Sequence, residues 1–224
     1  MDRSSPKYAM YPEGTSNRLL ATDLVTLATH DVLASRVTAP GQANLTEPRF
    51  FTTDELKTLA AVCARLIPQT DRARPVDLTG AIDRRLAAGK TNGWRYDDMP
   101  PDNEAFRWAL RGLHETARAM SNGGLETRFE TLGDSMQDAV LAAVQRGDAT
   151  GAIWETMPSA RFFEELLMEL ASTYYSHPLA QDEIGYAGYA DAHGWQRIGL
   201  DRLELFEPRP LDAPPADQGP TKHE

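Results

Sequence analysis

The side chains of this 224-residue chain best able to do chemistry are five histidines, one cysteine and a surplus of carboxylates, and their spacing limits what they can do. A di-iron helical bundle needs a Glu three residues ahead of a His on one helix face. None of His30, His114, His177, His193 and His223 has a Glu at that offset. The densest cluster is His177, Asp182, Glu183 and His193, whose nitrogen and oxygen donors are of the types that bind a metal. A metal-dependent helical-bundle enzyme using that loop is therefore one alternative reading, with ordinary loop polarity as the plainer account of the same residues. His114, beside Glu115 in a helical stretch, is expected at a solvated helix edge.

Nucleophilic chemistry finds less support. Ser176 precedes His177 directly, and adjacent residues rarely bring a hydroxyl and an imidazole into productive geometry; a G-x-S-x-G elbow is absent from the sequence. The acid pairs Glu164-Glu165 and Asp182-Glu183 are sequence neighbours, expected on solvated faces. Gly185-Tyr186-Ala187-Gly188 neither follows a strand nor opens a clear helix, as a dinucleotide fingerprint would. No residue is assigned a catalytic, cofactor-binding or metal-ligating role. The single Cys63 excludes an internal disulfide and a Cys-based metal site, and its apolar neighbours predict a small buried hydrophobe.

Charge excludes further classes. A formal net charge of −10 is unsuited to neutralising phosphates, so a nucleic-acid partner is not expected, nor is adsorption to an anionic membrane. Direct membrane insertion is not expected either, because no run of about 20 apolar residues occurs. The N-terminal stretch lacks the apolar region of a secretory signal, and the only adjacent arginines, Arg84 and Arg85, lie far inside. As written, the chain is expected in the cytoplasm; a periplasmic address would need an export signal that was removed or that a partner carries.

The elements that would position these residues read as helices. Leu19, Leu20, Leu24, Leu27, Ala28 and Val32 form the face of a short N-terminal helix. Thr52 and Glu55 make a capping box, with Phe51 placed to staple onto Leu56. The helix that follows carries Leu56, Leu59, Ala60, Cys63, Leu66 and Ile67 inward and ends at Pro68. Leu78, Ile82 and Leu86 mark the next, stopped by Gly89. A loop with Trp94, Tyr96 and Met99 leads to a helix from Asp102, faced by Phe106, Ala109, Leu110, Leu113, Ala117 and Met120 and ended by Asn122-Gly123-Gly124. After a turn through Phe129 and Leu132, Asp134 is placed to cap a helix with Gln137, burying Met136, Ala139, Val140, Ala143 and Val144 before Gly147. Pro158 opens the last helix, with Phe162, Phe163, Leu166, Leu167, Leu170, Ala171 and Tyr174 inward, and Pro178 ends it near Tyr175 or Ser176.

The fold class is thus all-α, an irregular bundle of five to six helices with long aromatic loops and extended termini. Residues 1–49 form an N-terminal extension, 50–206 the helical domain and 207–224 a Pro-rich acidic tail. Tyr and Trp concentrate in Gly-containing loops, at Trp94, Tyr96, Tyr174, Tyr175, Tyr186, Tyr189 and Trp195, which suits a protein interface.

The order of Phe51-Thr52 before a capped helix, Leu66-Ile67-Pro68-Gln69-Thr70-Asp71 at its end, Phe129-x-x-Leu132 then Gln137, and Tyr174-Tyr175-Ser176-His177-Pro178 with Gly185-Tyr186-x-Gly188 resembles the gluconate 2-dehydrogenase subunit 3 family, from about Phe50 to Trp195. The resemblance implies a small, cofactor-free companion of a large FAD-dependent dehydrogenase of the glucose–methanol–choline type, often completed by a cytochrome c subunit. It implies that FAD and catalysis belong to the partner, that the substrates are sugars, sugar acids or polyols, and that this chain supports the flavoprotein's folding, stability or export. Many members carry a twin-arginine export signal, which this sequence does not show. Docking is expected through Tyr174, Tyr175, His177, Tyr186, Gly188, Tyr189 and Trp195. A free-standing helical regulator is the remaining alternative.

Overall fold

A computed structural model describes residues 26–38, 47–70, 75–91, 93, 95–184, 186, 197, 199–200 and 202. Among them the chain is helical and without strands. The helices are α1 (Leu27–Thr38), α2 (Thr53–Leu66), α3 (Leu78–Ala87), α4 (Asp102–Ser121), α5 (Asp134–Arg146), α6 (Ala152–Thr156), α7 (Ser159–Tyr175) and α8 (Pro178–Glu183), with a 3₁₀ turn at Phe129–Thr131. They fall into two compact units, one of Pro40–Tyr174, the other of Met1–Ala39 with Tyr175–Glu224.

The larger unit is built on α2. Its start is fixed locally: the Thr52 hydroxyl accepts from Glu55 N, and the Glu55 carboxylate accepts from Thr52 N at 2.8 Å, two of the amides a helix start otherwise leaves unpaired. Because α2 packs on α3, α4, α5 and the 3₁₀ turn, its buried arc is wider than one stripe. Thr58 and Val62 join Leu56, Leu59 and Cys63 inside, while Ala60, Leu66 and Ile67, expected inward, are half-buried. Burial in this apolar setting disfavours the thiolate and pushes the Cys63 thiol up to about 12.

The chain entering α2 is held from the side. Asp83 of α3, itself buried, accepts the consecutive amides of Arg49 (2.8 Å), Phe50 (3.0 Å) and Phe51 (3.0 Å). Arg107 of α4 donates to Phe50 O and stacks over the Phe50 ring, 4.5 Å from its centroid. Leu78, Ile82 and Leu86 of α3 are buried as their spacing predicts, and Gly89 takes the left-handed conformation (φ +63°) just beyond the helix end.

On α4 the predicted stripe is buried from Phe106 to Ala117; Met120, in the last turn and on its exposed side, is 39% exposed, and Asn122 ends the helix in the left-handed region. At α5, Asp134 is not a cap: Gly133 holds that place, and the Asp134 carboxylate turns to Arg65 at 2.6 Å. Gln137 instead goes inside, where its amide reaches the carbonyls of Phe129 and Leu132. Val140, Ala143 and Val144 are buried with Leu141, and Met136 and Ala139 are half-buried. The short α6 has too few residues to show a period in sequence. It seats Trp154 on α4, where the indole Nε1–H bonds Thr116 Oγ1 at 3.0 Å and Gly112 O at 3.2 Å.

Pro158 stands immediately before α7, its carbonyl accepting from Phe162 N. Phe162, Phe163, Leu166, Leu170 and Tyr174 are buried, but Leu167 is 39% exposed and Ala171 half-buried. The reason is Glu169. It is buried because Arg85 of α3 bonds it at 2.8 Å while holding Asp102 of α4 at 2.6 Å, and seating that carboxylate turns the covered arc of α7 away from Leu167. Of the aromatic loop before α4, Met99 is buried, and Tyr96 bonds Glu164 and lies under the Arg161 guanidinium. Trp94 is outside the described residues.

In the smaller unit α1 packs on α8. Its covered side is that of Leu33; Leu27 and Val32, expected inward, are exposed, on a helix whose main described neighbour is α8. Leu19, Leu20 and Leu24 lie outside the described residues. The segment after Pro178, expected as loop, begins with a helix. Proline both ends α7 and opens α8, since at a first helical position its missing N–H is not needed and its φ is already set.

Candidate partner interface

The corner between α7 and α8 is built around His177. Its Nδ1 accepts the amide of Leu179 at 3.2 Å, so the side chain caps the start of α8. Its Nε2 lies 3.1 Å from the carbonyl of Arg36 on α1, and a carbonyl can only accept, so Nε2 carries the proton. Both contacts together define a neutral ring in the Nε2–H form. Arg36 answers with its guanidinium, which donates to Ser176 O at 2.8 Å. Residues 36 and 176–177 thus clasp each other reciprocally.

The described part of the smaller unit displays apolar side chains to solvent. Tyr175 is 49% exposed and Tyr186 38%, and they are accompanied by Leu27, Val32, Ile184 and Leu200. Isolated exposed apolar residues are ordinary, and Tyr175, Ile184 and Tyr186, which flank α8 in sequence, are of the residue types that protein contacts favour. Of the residues expected at the docking surface, Tyr175, His177 and Tyr186 come to this unit. Tyr174 is instead buried in the larger unit, because it continues the Leu166–Leu170 face of α7. Gly188, Tyr189 and Trp195 lie outside the described residues. The exposed Leu27, Val32 and Ile184 escaped sequence reading, since apolar spacing alone does not say which side is covered.

The same geometry bears on the metal reading of His177, Asp182, Glu183 and His193. With Nδ1 accepting an amide and Nε2 protonated, His177 has no lone pair left for a cation. Among the described residues no group of three or more His, Cys, Asp or Glu side chains is placed to hold a metal. His193 and the side chain of Asp182 are outside that set.

Two further polar clusters lie in the larger unit. His114, expected at a solvated edge, is instead enclosed by α2 and the 3₁₀ turn because it satisfies a backbone amide there: Nδ1 accepts Phe129 N at 3.1 Å. Nε2 stands 3.5 Å from Thr58 Oγ1, whose hydroxyl is 3.0 Å from Glu130 Oε2 and 3.1 Å from Asp54 O. The arrangement resembles a hydroxyl–imidazole–carboxylate set, but its polarity is wrong for attack. With Nδ1 occupied by an N–H, Nε2 must donate, so the imidazole cannot take the Thr58 proton. Burial holds the His114 pKa below its ordinary value, with Arg128 and Arg118 acting in the same sense and Glu130 and Asp54 against it.

Glu165 forms the second cluster. Expected on a solvated face with Glu164, it has Oε1 buried without a hydrogen-bond partner, while Glu164 is exposed. Burial first, and the nearby Asp102 carboxylate second, raise its pKa; Arg95 and the Tyr96 backbone act the other way, and Asp98 adds a smaller upward push.

No curated protein and no solved structure matches the chain. A family model described as gluconate 2-dehydrogenase subunit 3 matches residues 53–199, from the start of α2 past the end of α8. That span is well over half of the chain and takes in α2 from its first residue as well as the His177 corner, so the chain belongs to the gluconate 2-dehydrogenase subunit 3 family.

Proposed function

We propose that this chain is the non-catalytic small subunit of an FAD-dependent dehydrogenase complex, binding a large flavoprotein of the glucose–methanol–choline type that oxidises a hydroxyl of a sugar, sugar acid or polyol. The observation that carries the reading is membership of the subunit 3 family across residues 53–199. FAD belongs to the large subunit, and a cytochrome c subunit is the natural third partner to receive the electrons. The role of the small subunit is to support folding, stability or export of the flavoprotein. A periplasmic complex follows if the partner or a longer form of this chain supplies the export signal.

Two features support the reading. Exposed Tyr175 ends α7 just before the clasp between Arg36 and His177, and exposed Ile184 and Tyr186 follow the end of α8, so amphipathic aromatic and apolar side chains flank the helix that the clasp caps. Titratable groups that could suggest catalysis, His114 and His177, are both committed as acceptors of backbone amides.

The test is expression of the flavoprotein with and without this chain, scoring soluble yield, bound FAD and dye-linked dehydrogenase activity. All three should fall when the small subunit is withheld. A flavoprotein equally soluble, FAD-loaded and active alone would end the proposal.

A further inference from the structure

The 3₁₀ turn Phe129–Thr131 is fastened by two side chains of different chemistry. Gln137 of α5 donates its amide to Phe129 O at 3.2 Å and to Leu132 O at 3.1 Å, a hold indifferent to pH. His114 of α4 accepts the Phe129 N–H at 3.1 Å, and that hold exists only while Nδ1 keeps its lone pair. Beneath the two lies the Phe129 ring, fully buried.

We propose that His114 is a pH-operated latch on this turn: the neutral imidazole holds the Phe129 amide, and the protonated imidazole lets it go and pairs with Glu130. The chemistry is a change of partner. A proton added at Nδ1 sets one N–H against another, so the Phe129 bond is lost. Glu130 Oε2 is already 3.9 Å from Nδ1 and accepts from the Thr58 hydroxyl, so a small ring movement brings the imidazolium to a carboxylate. The charged groups facing the ring are Asp54 on α2 and Glu130 on the turn, which favour the imidazolium, and Arg118 on α4 and Arg128 beside the turn, which oppose it. Thr58, with Asp54 O as a second acceptor, keeps a partner after Glu130 is taken.

Burial outweighs the two carboxylates, so the release falls on the acid side of the ordinary histidine range. With the folded value below the unfolded one, the unfolded chain binds the proton more readily, so the stability held by the latch is full above the ordinary histidine value and is lost as pH falls. This inference is independent of the dehydrogenase reading, since it concerns only residues within the larger unit.

The experiment is amide hydrogen exchange of the full-length protein by NMR from about pH 7.5 to about pH 5, with the His114 ring proton followed in the same samples. The protection factor of the Phe129 amide is expected to fall at least about tenfold with the midpoint of the His114 titration, while the amides of Leu113 and Val140 keep theirs. In His114→Gln, whose side-chain oxygen accepts without titrating, Phe129 protection should stay level with pH. A Phe129 amide unmoved as His114 titrates, or one that falls together with Leu113 and Val140, overturns the proposal, as does the same fall in His114→Gln. If that variant does not fold, the wild-type comparison of Phe129 with Val140 decides the matter.

Discussion

The indole of Trp154 lies on the bare Cα of Gly112, so close that a Cβ at that glycine would stand 2.6 Å from two ring carbons. The same ring bonds Gly112 O and Thr116 Oγ1 on α4, so it cannot slide without losing both.

Gly112→Ala should therefore destabilise the protein although alanine is the better helix former by about 1 kcal/mol. Overpacking of this kind costs about 1 to 3 kcal/mol, which leaves a net loss of up to about 2 kcal/mol. Urea unfolding followed by Trp fluorescence reads both the stability and the displaced ring; a variant as stable as wild type would overturn the expectation that Trp154 is held too tightly to give way.

Asp83 is the acceptor for three consecutive amides. Asp83→Ala strands those donors in a part-buried site, and hydrogen bonds to a charged group are worth about 1.5 to 3 kcal/mol each, not additively, so a loss of about 3 kcal/mol or more is expected. Asp83→Asn should cost less, since its one carbonyl oxygen still accepts from Phe50 and Phe51. Denaturant midpoints of the two variants give the comparison, and equal losses would argue against the amide-capture role.

Glu165 predicts a pH dependence opposite to that of His114. Its folded pKa is raised, so whatever stability its protonated form contributes is present below the ordinary carboxylate range and is lost as pH rises through the folded value. Glu165→Gln, a mimic of the protonated form, should be more stable than wild type at neutral pH and indistinguishable from it near pH 4. Chemical denaturation at several pH values checks this, and a pH-independent difference would refute it.

Tyr186→Ala and Leu166→Ala separate the interface from the core. The first should weaken flavoprotein binding by about 2 kcal/mol if Tyr186 is a hot spot, leaving helicity intact. The second removes a buried side chain of α7 and should cost about 2 to 5 kcal/mol of stability. Circular dichroism together with a pull-down on tagged flavoprotein distinguishes the two; equal helicity loss in both would mean the surface is not separable from the fold.

Much of the larger unit was legible because its signals are local. Thr52 with Glu55, the Leu78–Ile82–Leu86 repeat, the left-handed Gly147 and Pro158 before α7 each act within a few residues, and each does what its sequence implies. The polar pairings were not legible, because their partners are remote: His114 and Phe129 are 15 residues apart, Asp83 and Arg49 34, Arg85 and Glu169 84. These pairings in turn set which flank of a helix is covered, which is why Leu167, inward by its spacing, is exposed. Pro178 was ambiguous for a different reason, since one residue type both stops and starts a helix. At the candidate interface, composition points to Tyr175 and Tyr186, whereas the acceptor role of His177 depends on the positions of Leu179 and the remote Arg36.

The clasp between Arg36 and the Ser176–His177 corner has a consequence in time. Its two halves are separated by 140 positions, so nothing in the smaller unit can bond to α1 through this corner until the ribosome has made almost all of the intervening chain. The larger unit, Pro40–Tyr174, lies wholly between them in sequence and can condense first. Closure of the clasp is then a late event, and it marks a chain whose α7 has already been synthesised to its end.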